Sequence, residues 1–189
     1  ICKIVDTETG KELPINSIGE VCFSGPTIML GYYNRPDATD EVIKIHDDGR
    51  KWLHTGDLGR INEDGVIFIT GRIKRIIMTK GTDRQVTKLF PDRIEKVIDM
   101  HPAVSMCCVI GVPDPVRINY ASVYVELHNG YTPSEELKED IRKFCKGKLP
   151  EYQIPDNVEF IDMLPRTARE KVDYRALEEM MKEKDKEIL

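Results

Sequence analysis

The sequence predicts an α+β fold built in two parts: a small β-rich part over residues 1–71, then a mixed α+β part over residues 72–189. Three observations carry this. Short apolar segments bounded by Gly, Asn and Asp fill the first third, with only one short helix after Pro36. Beyond Pro91, apolar residues recur at helical spacing in segments that alternate with strand-like runs. The two patterns meet in the short basic stretch Gly71–Arg75.

Taken in order, Ile1–Val5 alternates as a strand and Thr7–Gly10 turns it, and Gly19–Gly25 is a second strand bounded by glycines. Pro36 with acidic residues behind it marks a helix start. Trp52–His54 and Gly59–Ile61 are strand-like. Asn62-Glu-Asp-Gly65 is a tight hairpin turn in which Gly65 takes positive φ, and Val66–Thr70 is the returning strand. In the second part, Arg75–Thr79 reads as a strand ending at Lys80-Gly81. Pro91–Met100 reads as a helix with Ile94, Val97 and Ile98 on one face. Val104–Gly111 and Ser122–Leu127 are strands. Thr132–Glu136 opens a helix that runs through Lys148 on a stripe of Leu137, Ile141, Phe144 and Cys145. Val158–Ile161 is one more strand, and Val172–Glu187 a charged terminal helix.

Composition removes several function classes. The 189 residues make one ordinary domain or two small ones. With 28 Lys+Arg against 33 Asp+Glu, the net charge is −5, which leaves no concentrated basic face for nucleic acid. No apolar run approaches the ~20 residues that span a bilayer, so no membrane insertion is expected. Cys2, Cys22, Cys107, Cys108 and Cys145 are odd in number and lack C-x-x-C spacing, giving neither a disulfide framework nor a zinc site. Free thiols point to a reducing, cytoplasmic setting. His46, His54, His101 and His128 share no spacing suited to a metal, so no metal ligand is expected. Ile1–Asp6 carries no initiator Met and no leader pattern, as in a piece cut from a longer chain.

The most informative residues are Trp52-Leu-His-Thr-Gly-Asp-Leu58 and, after the hairpin, Gly71-Arg-Ile-Lys74. Asp57 and Arg72 stand on the two strands of one hairpin, where a carboxylate and a guanidinium can face one site. Such a pair suits a ribose, the carboxylate accepting from the vicinal hydroxyls and the guanidinium supplying fixed donors. A surface ion pair bracing the hairpin is an equally good reading of the spacing.

Gly19-Glu-Val, Ser24-Gly-Pro26, Met29-Leu-Gly-Tyr-Tyr33, Thr55-Gly-Asp57, Gly71-Arg-Ile-Lys74 and Pro165-Arg-Thr-Ala-Arg-Glu-Lys171 follow in one order. Together they resemble the adenylate-forming enzymes: acyl- and aryl-CoA synthetases, peptide-synthetase adenylation domains and luciferases. The resemblance covers essentially the whole chain but only about the last third of a family member. It implies that residues 1–71 are the β-rich end of the large adenylating domain, and 72–189 the mobile C-terminal α+β domain. It implies that Asp57 holds the ATP ribose hydroxyls, that Arg72 also contacts the ribose, and that Ile69 lines the nucleotide site. Lys74 falls at the hinge, Gly81 beside the pantetheine channel, and Lys171 matches the mobile lysine that contacts the carboxylate and α-phosphate. A positioned ammonium there stabilises charge developing in adenylation.

Three features depart from the pattern. Glu170 stands where Gly usually precedes the lysine, Tyr174 where Arg is common, and the segment between Gly81 and Pro91 is several residues longer than usual. The resemblance implies an ATP-dependent acid–CoA ligase that forms acyl-AMP and pyrophosphate and then the CoA thioester. ATP/AMP, a carboxylic acid and CoA are its ligands, with Mg²⁺ entering with ATP and no ligand for it assignable here. The phosphate-gripping loop and acyl pocket are absent from these residues, so the chain alone is expected to be inactive. A peptide-synthetase adenylation domain is the alternative, disfavoured by Lys74 where Asp is typical. A catalytically degenerate interaction module is another, and Glu170 is its only support.

Overall fold

The computed structural model describes residues 1–81 and 85–187, the last four by backbone alone. The chain divides into two compact units, Ile1–Lys74 and Arg75–Leu189.

The first unit is built around one long strand. β1 (Cys2–Val5), β2 (Gly19–Phe23), α1 (Pro36–Val42), β3 (Ile43–Ile45), β4 (Lys51–Ile61) and β5 (Ile67–Arg72) follow in order. β1, β2 and β4 pair antiparallel, while β3 and β5 share the other edge of β4. The two short strands expected at 52–54 and 59–61 are thus one strand of 11 residues. β3 was not expected; it exists because the Asp47–Arg50 turn folds it against Lys51–Leu53. The Asn62–Gly65 turn forms as the sequence implies, Gly65 at φ +78. Asn62 closes it from both ends, its side chain accepting from Val66 N at 2.8 Å. Val5, Cys22 and Trp52 form the unit's buried cluster.

The second unit carries the larger core. Its elements are β6 (Ile77–Lys80), β7 (Val86–Leu89), α2 (Pro91–Ile98), β8 (Val104–Asp114), β9 (Ile118–Leu127), α3 (Glu135–Cys145), β10 (Asn157–Phe160) and α4 (Tyr174–Glu187). β8 and β9 are antiparallel, and β10 joins β9 in parallel. The central run of β8 is apolar without alternation because both faces of the sheet are covered. Cys107 and Val109 pack with Ile94 and Ile98 of α2 and Ile141 and Cys145 of α3. Cys108 and Ile110 face the opposite way, toward Leu164 and Leu177. The two adjacent thiols therefore point to opposite faces and cannot pair. All five cysteines are free.

Boundaries moved where local chemistry overrode periodicity. α3 starts at a Ser134 cap, whose Oγ accepts from Leu137 N at 3.1 Å. It stops at Cys145 rather than Lys148, because Lys146 is extended and Gly147 takes φ +79. Arg75 belongs to a 3₁₀ turn, Ile73–Arg75, and β6 begins two residues later. α4 begins at Tyr174, where Asp173 Oδ1 accepts from the amides of Arg175 and Ala176, both at 3.1 Å. β7 was missed: its Val-Thr-Lys-Leu has no pattern of its own and is held by antiparallel pairing with β6. Residues 82–84, part of the longer segment after Gly81, lie outside the described residues. No helix among the described residues is long and apolar enough to cross a membrane.

Candidate functional site

The Thr55-Gly-Asp57 segment is a bulge in the middle of β4. Glu20 of β2 pairs with Leu58, and two residues later Cys22 pairs with His54, so β4 spends two extra residues between these pairs. Gly56 takes φ +71, a left-handed value within a strand that glycine adopts without a Cβ penalty. The displaced backbone is held at each end. Thr55 Oγ1 donates to Val21 O at 2.7 Å and accepts from Asp57 N at 3.0 Å, and Gly56 N donates to Glu20 Oε1 at 2.9 Å.

On the opposite edge, Asp57 stands directly across from Arg72 in the β4–β5 ladder. Arg72 Nε lies 3.2 Å from Asp57 Oδ1, with the side chains 68% and 31% exposed. An ion pair this exposed contributes about 0–1 kcal/mol to stability, so bracing the hairpin is a small effect. What the arrangement does is present a carboxylate and a guanidinium side by side at a surface, with Asp57 Oδ2 unbonded among the described residues. Ile69, three residues before Arg72, is 50% exposed, so core packing does not account for it. Lys74 is exposed within the 3₁₀ turn. Arg75, the next residue, is not part of a solvated basic face: it is buried against Glu95.

Gly81 and Lys171 belong to the second unit. Gly81 follows β6, its amide donating to Gln85 O at 3.1 Å. Lys171 lies on a small hairpin between Pro165 and Asp173. Asp173 N donates to Pro165 O at 2.7 Å, Thr167 N to Lys171 O at 2.7 Å and Glu170 N to Thr167 O at 2.9 Å. Arg166, paired with Glu126 at 3.3 Å, fixes its base. The lysine side chain is exposed at the end of the turn.

Glu170 sits at φ +60, the left-handed position that closes such a turn. Glycine is favoured there for a backbone reason, and a Cβ at left-handed φ costs about 1–2 kcal/mol. Glu170→Asn, which tolerates that conformation, is therefore expected to raise the unfolding free energy by about 0.5–1 kcal/mol, and Glu170→Val to lower it by about 1–2 kcal/mol. Urea unfolding of the 189-residue chain checks both, and equal midpoints for Asn and Val would show that the turn does not hold this φ.

Glu20 and the His46–His54 pair were not singled out by sequence. His54 Nδ1 lies 2.7 Å from Glu20 Oε2, and His46 Nε2 lies 2.9 Å from His54 Nε2. The signal available was two histidines flanking the Asp47-Asp-Gly49 turn, which brings them together across β3 and β4. A glycine inside a strand pattern likewise marks the bulge.

Residues 93–171 match the AMP-binding enzyme C-terminal domain. The chain is 37% identical over 170 to 175 residues to curated ligases, among them the fatty acid–[acyl-carrier-protein] ligase ScoC of Streptomyces coeruleorubidus, aligned over 93% of this chain and 31% of that protein. It is 36% identical to 4-coumarate–CoA ligase 1 of Glycine max, over 90% of this chain and 54% of that one. ATP-bound MatB from Rhodopseudomonas palustris superposes with a TM-score of 0.80 at 33% identity, over 95% of this chain and 33% of that one. The chain is similar to adenylate-forming enzymes over 90–95% of its own length. It spans roughly a third of the length of most of these relatives. The C-terminal domain match ends at Lys171. The 90–95% coverage by relatives carries the likeness through the first unit as well.

Proposed function

We propose that the intact protein is an ATP-dependent acid–CoA ligase, which joins a carboxylate to ATP as acyl-AMP with release of pyrophosphate and then transfers the acyl group to CoA. The observation that carries this reading is the Asp57–Arg72 pair, set side by side across β4 and β5 with the aspartate re-aimed by a bulge. Asp57 accepts from the ribose hydroxyls, Arg72 donates beside it, and Ile69 gives an apolar wall. Unit Ile1–Lys74 is the closing β-rich part of the adenylating domain, and Arg75–Leu189 the mobile domain. Lys74 is the hinge, where a turn residue absorbs the φ/ψ change. Lys171 brings its ammonium to the carboxylate and α-phosphate, and Gly81 borders the pantetheine path. Mg²⁺ enters with the ATP phosphates, and no residue of this chain is assigned to it. A cytoplasmic location follows from the substrates and the free thiols.

The test is acid-dependent ATP–pyrophosphate exchange by the whole natural protein against short-chain, long-chain and aromatic acids, followed by CoA-dependent AMP release. Exchange with one acid class and thioester formation on CoA are the expected results, while the 189-residue chain alone turns over neither step. Acyl transfer to a carrier-protein phosphopantetheine but not to CoA would replace this reading with the adenylation-domain one. Bound ATP without exchange for any acid would replace it with a degenerate module.

A further inference from the structure

Away from the Asp57–Arg72 edge, the first unit gathers three metal-ligating side chains from two neighbouring strands. Glu20 and Cys22 lie on β2 and His54 on β4, and one donor atom from each lies within 4.8 Å of the other two. Cys22 and His54 are direct register partners. Glu20, two residues before Cys22, shares its face of the sheet. None of the three is assigned a contact with ATP, the acid or CoA in the reaction proposed above.

We propose that Glu20, Cys22 and His54 bind one divalent transition-metal cation of the zinc type. A thiolate, an imidazole and a carboxylate together suit a borderline-soft ion, whereas Mg²⁺ and Ca²⁺ select oxygen donors alone. The charges balance: thiolate and carboxylate neutralise a dication at a place with little solvent. Cys22 is fully buried, and the side chains of His54 and Glu20 are 10% and 12% exposed.

The surrounding groups are also those a ligand set needs. In the metal-free chain His54 Nδ1 donates to Glu20 Oε2, and His46 Nε2, 2.9 Å from the far nitrogen of His54, is placed to accept from that nitrogen when the proton moves there and Nδ1 turns to a metal. Gly56 N holds the second oxygen of Glu20 at 2.9 Å. Little has to move. His54 Nδ1 and Glu20 Oε2 are 2.7 Å apart, and metal bonds of about 2.0–2.2 Å require them to open to roughly 3.3 Å. Binding converts the thiol to a thiolate and releases its proton to solvent, while the Nδ1 proton of His54 leaves as Nε2 takes one, so the imidazole stays neutral and no oxidation state changes. Three protein ligands leave one coordination position for water. Because Glu20 also holds Gly56, the cation ties β2 to β4 at the bulge that aims Asp57.

Co²⁺ titration of the metal-free 189-residue chain tests this by absorbance. One equivalent is expected to bind with a near-ultraviolet thiolate-to-cobalt charge-transfer band. Cys22→Ser removes the band, His54→Gln weakens Co²⁺ binding more than about 100-fold, and His46→Gln keeps the band with binding weakened about tenfold. Cys2→Ser leaves both unchanged. Circular dichroism establishes that each variant is folded, and His54→Gln carries the test if Cys22→Ser does not fold. No band at saturating Co²⁺, a band that survives Cys22→Ser, or Co²⁺ binding left unweakened by His54→Gln overturns the proposal and leaves a Glu20–His54–His46 hydrogen-bonded chain without metal.

Discussion

Arg75→Ala is expected to remove about 3–5 kcal/mol of stability from the second unit, a large share of a typical domain's total. The Arg75 side chain is 12% exposed and that of Glu95 is 14%. Its guanidinium meets Glu95 in a two-pronged pair at 2.6 and 2.8 Å and also donates to Val109 O at 3.1 Å. Tyr174 lies over it, 5.1 Å from the ring centre. Burial pushes the guanidinium pKa down, but the Glu95 hydrogen bond and the charges of Glu95 and Asp92 more than offset this, and the net direction is up. The alanine variant strands Glu95 as a buried charge, although Glu95 still accepts from Val109 N at 2.7 Å. Arg75→Met with Glu95→Leu should recover part of the loss, since an apolar pair replaces an ionic one, and the part not recovered is the Val109 amide and carbonyl, which both lose their side-chain partners. Urea unfolding followed by far-ultraviolet circular dichroism measures all three. A single-variant loss under about 1 kcal/mol would mean that water reaches the pair.

Lys171→Ala in the whole natural protein is expected to slow acid-dependent ATP–pyrophosphate exchange by about 10²–10³-fold, the usual cost of removing one preorganised group from a developing charge. Transfer to CoA from supplied acyl-AMP should change little, because the role proposed for the lysine lies in the first step. Lys171→Arg should not restore exchange fully, since a planar guanidinium cannot occupy the place of a compact ammonium at the end of the Thr167–Glu170 turn. Normal exchange by the alanine variant, with ATP binding intact, would remove Lys171 from the mechanism.

Elements whose signals are local were legible in the sequence. The Asn62–Gly65 turn closes through its own Asn side chain, and Ser134 caps α3 through its own hydroxyl. The opposition of Asp57 and Arg72 follows from that hairpin and was legible too. What escaped depends on distant partners. β3 and β7 are short strands that exist because β4 and β6 supply a ladder. Arg75 looks like one more exposed cation beside Arg72 and Lys74, and only the fold reveals that Glu95 on α2 takes it out of solvent. Glu170 was legible as a departure, but the physical reason, a left-handed residue closing a turn, needed the backbone.

The bulge in β4 has a consequence for how this stretch of chain can vary over time. Downstream of it, Leu58 is buried on one face, while a side chain on Gly59 would stand 2.7 Å from Phe68 O and from Val21 Cγ2. Losing or gaining one residue between His54 and Leu58 would exchange those faces, driving a bulky group into the place that only glycine fills. Thr55-Gly-Asp57 can thus accept substitutions at the cost of its chemistry, but its length is fixed by the strand that contains it. Its spacing should drift more slowly among descendants than its letters.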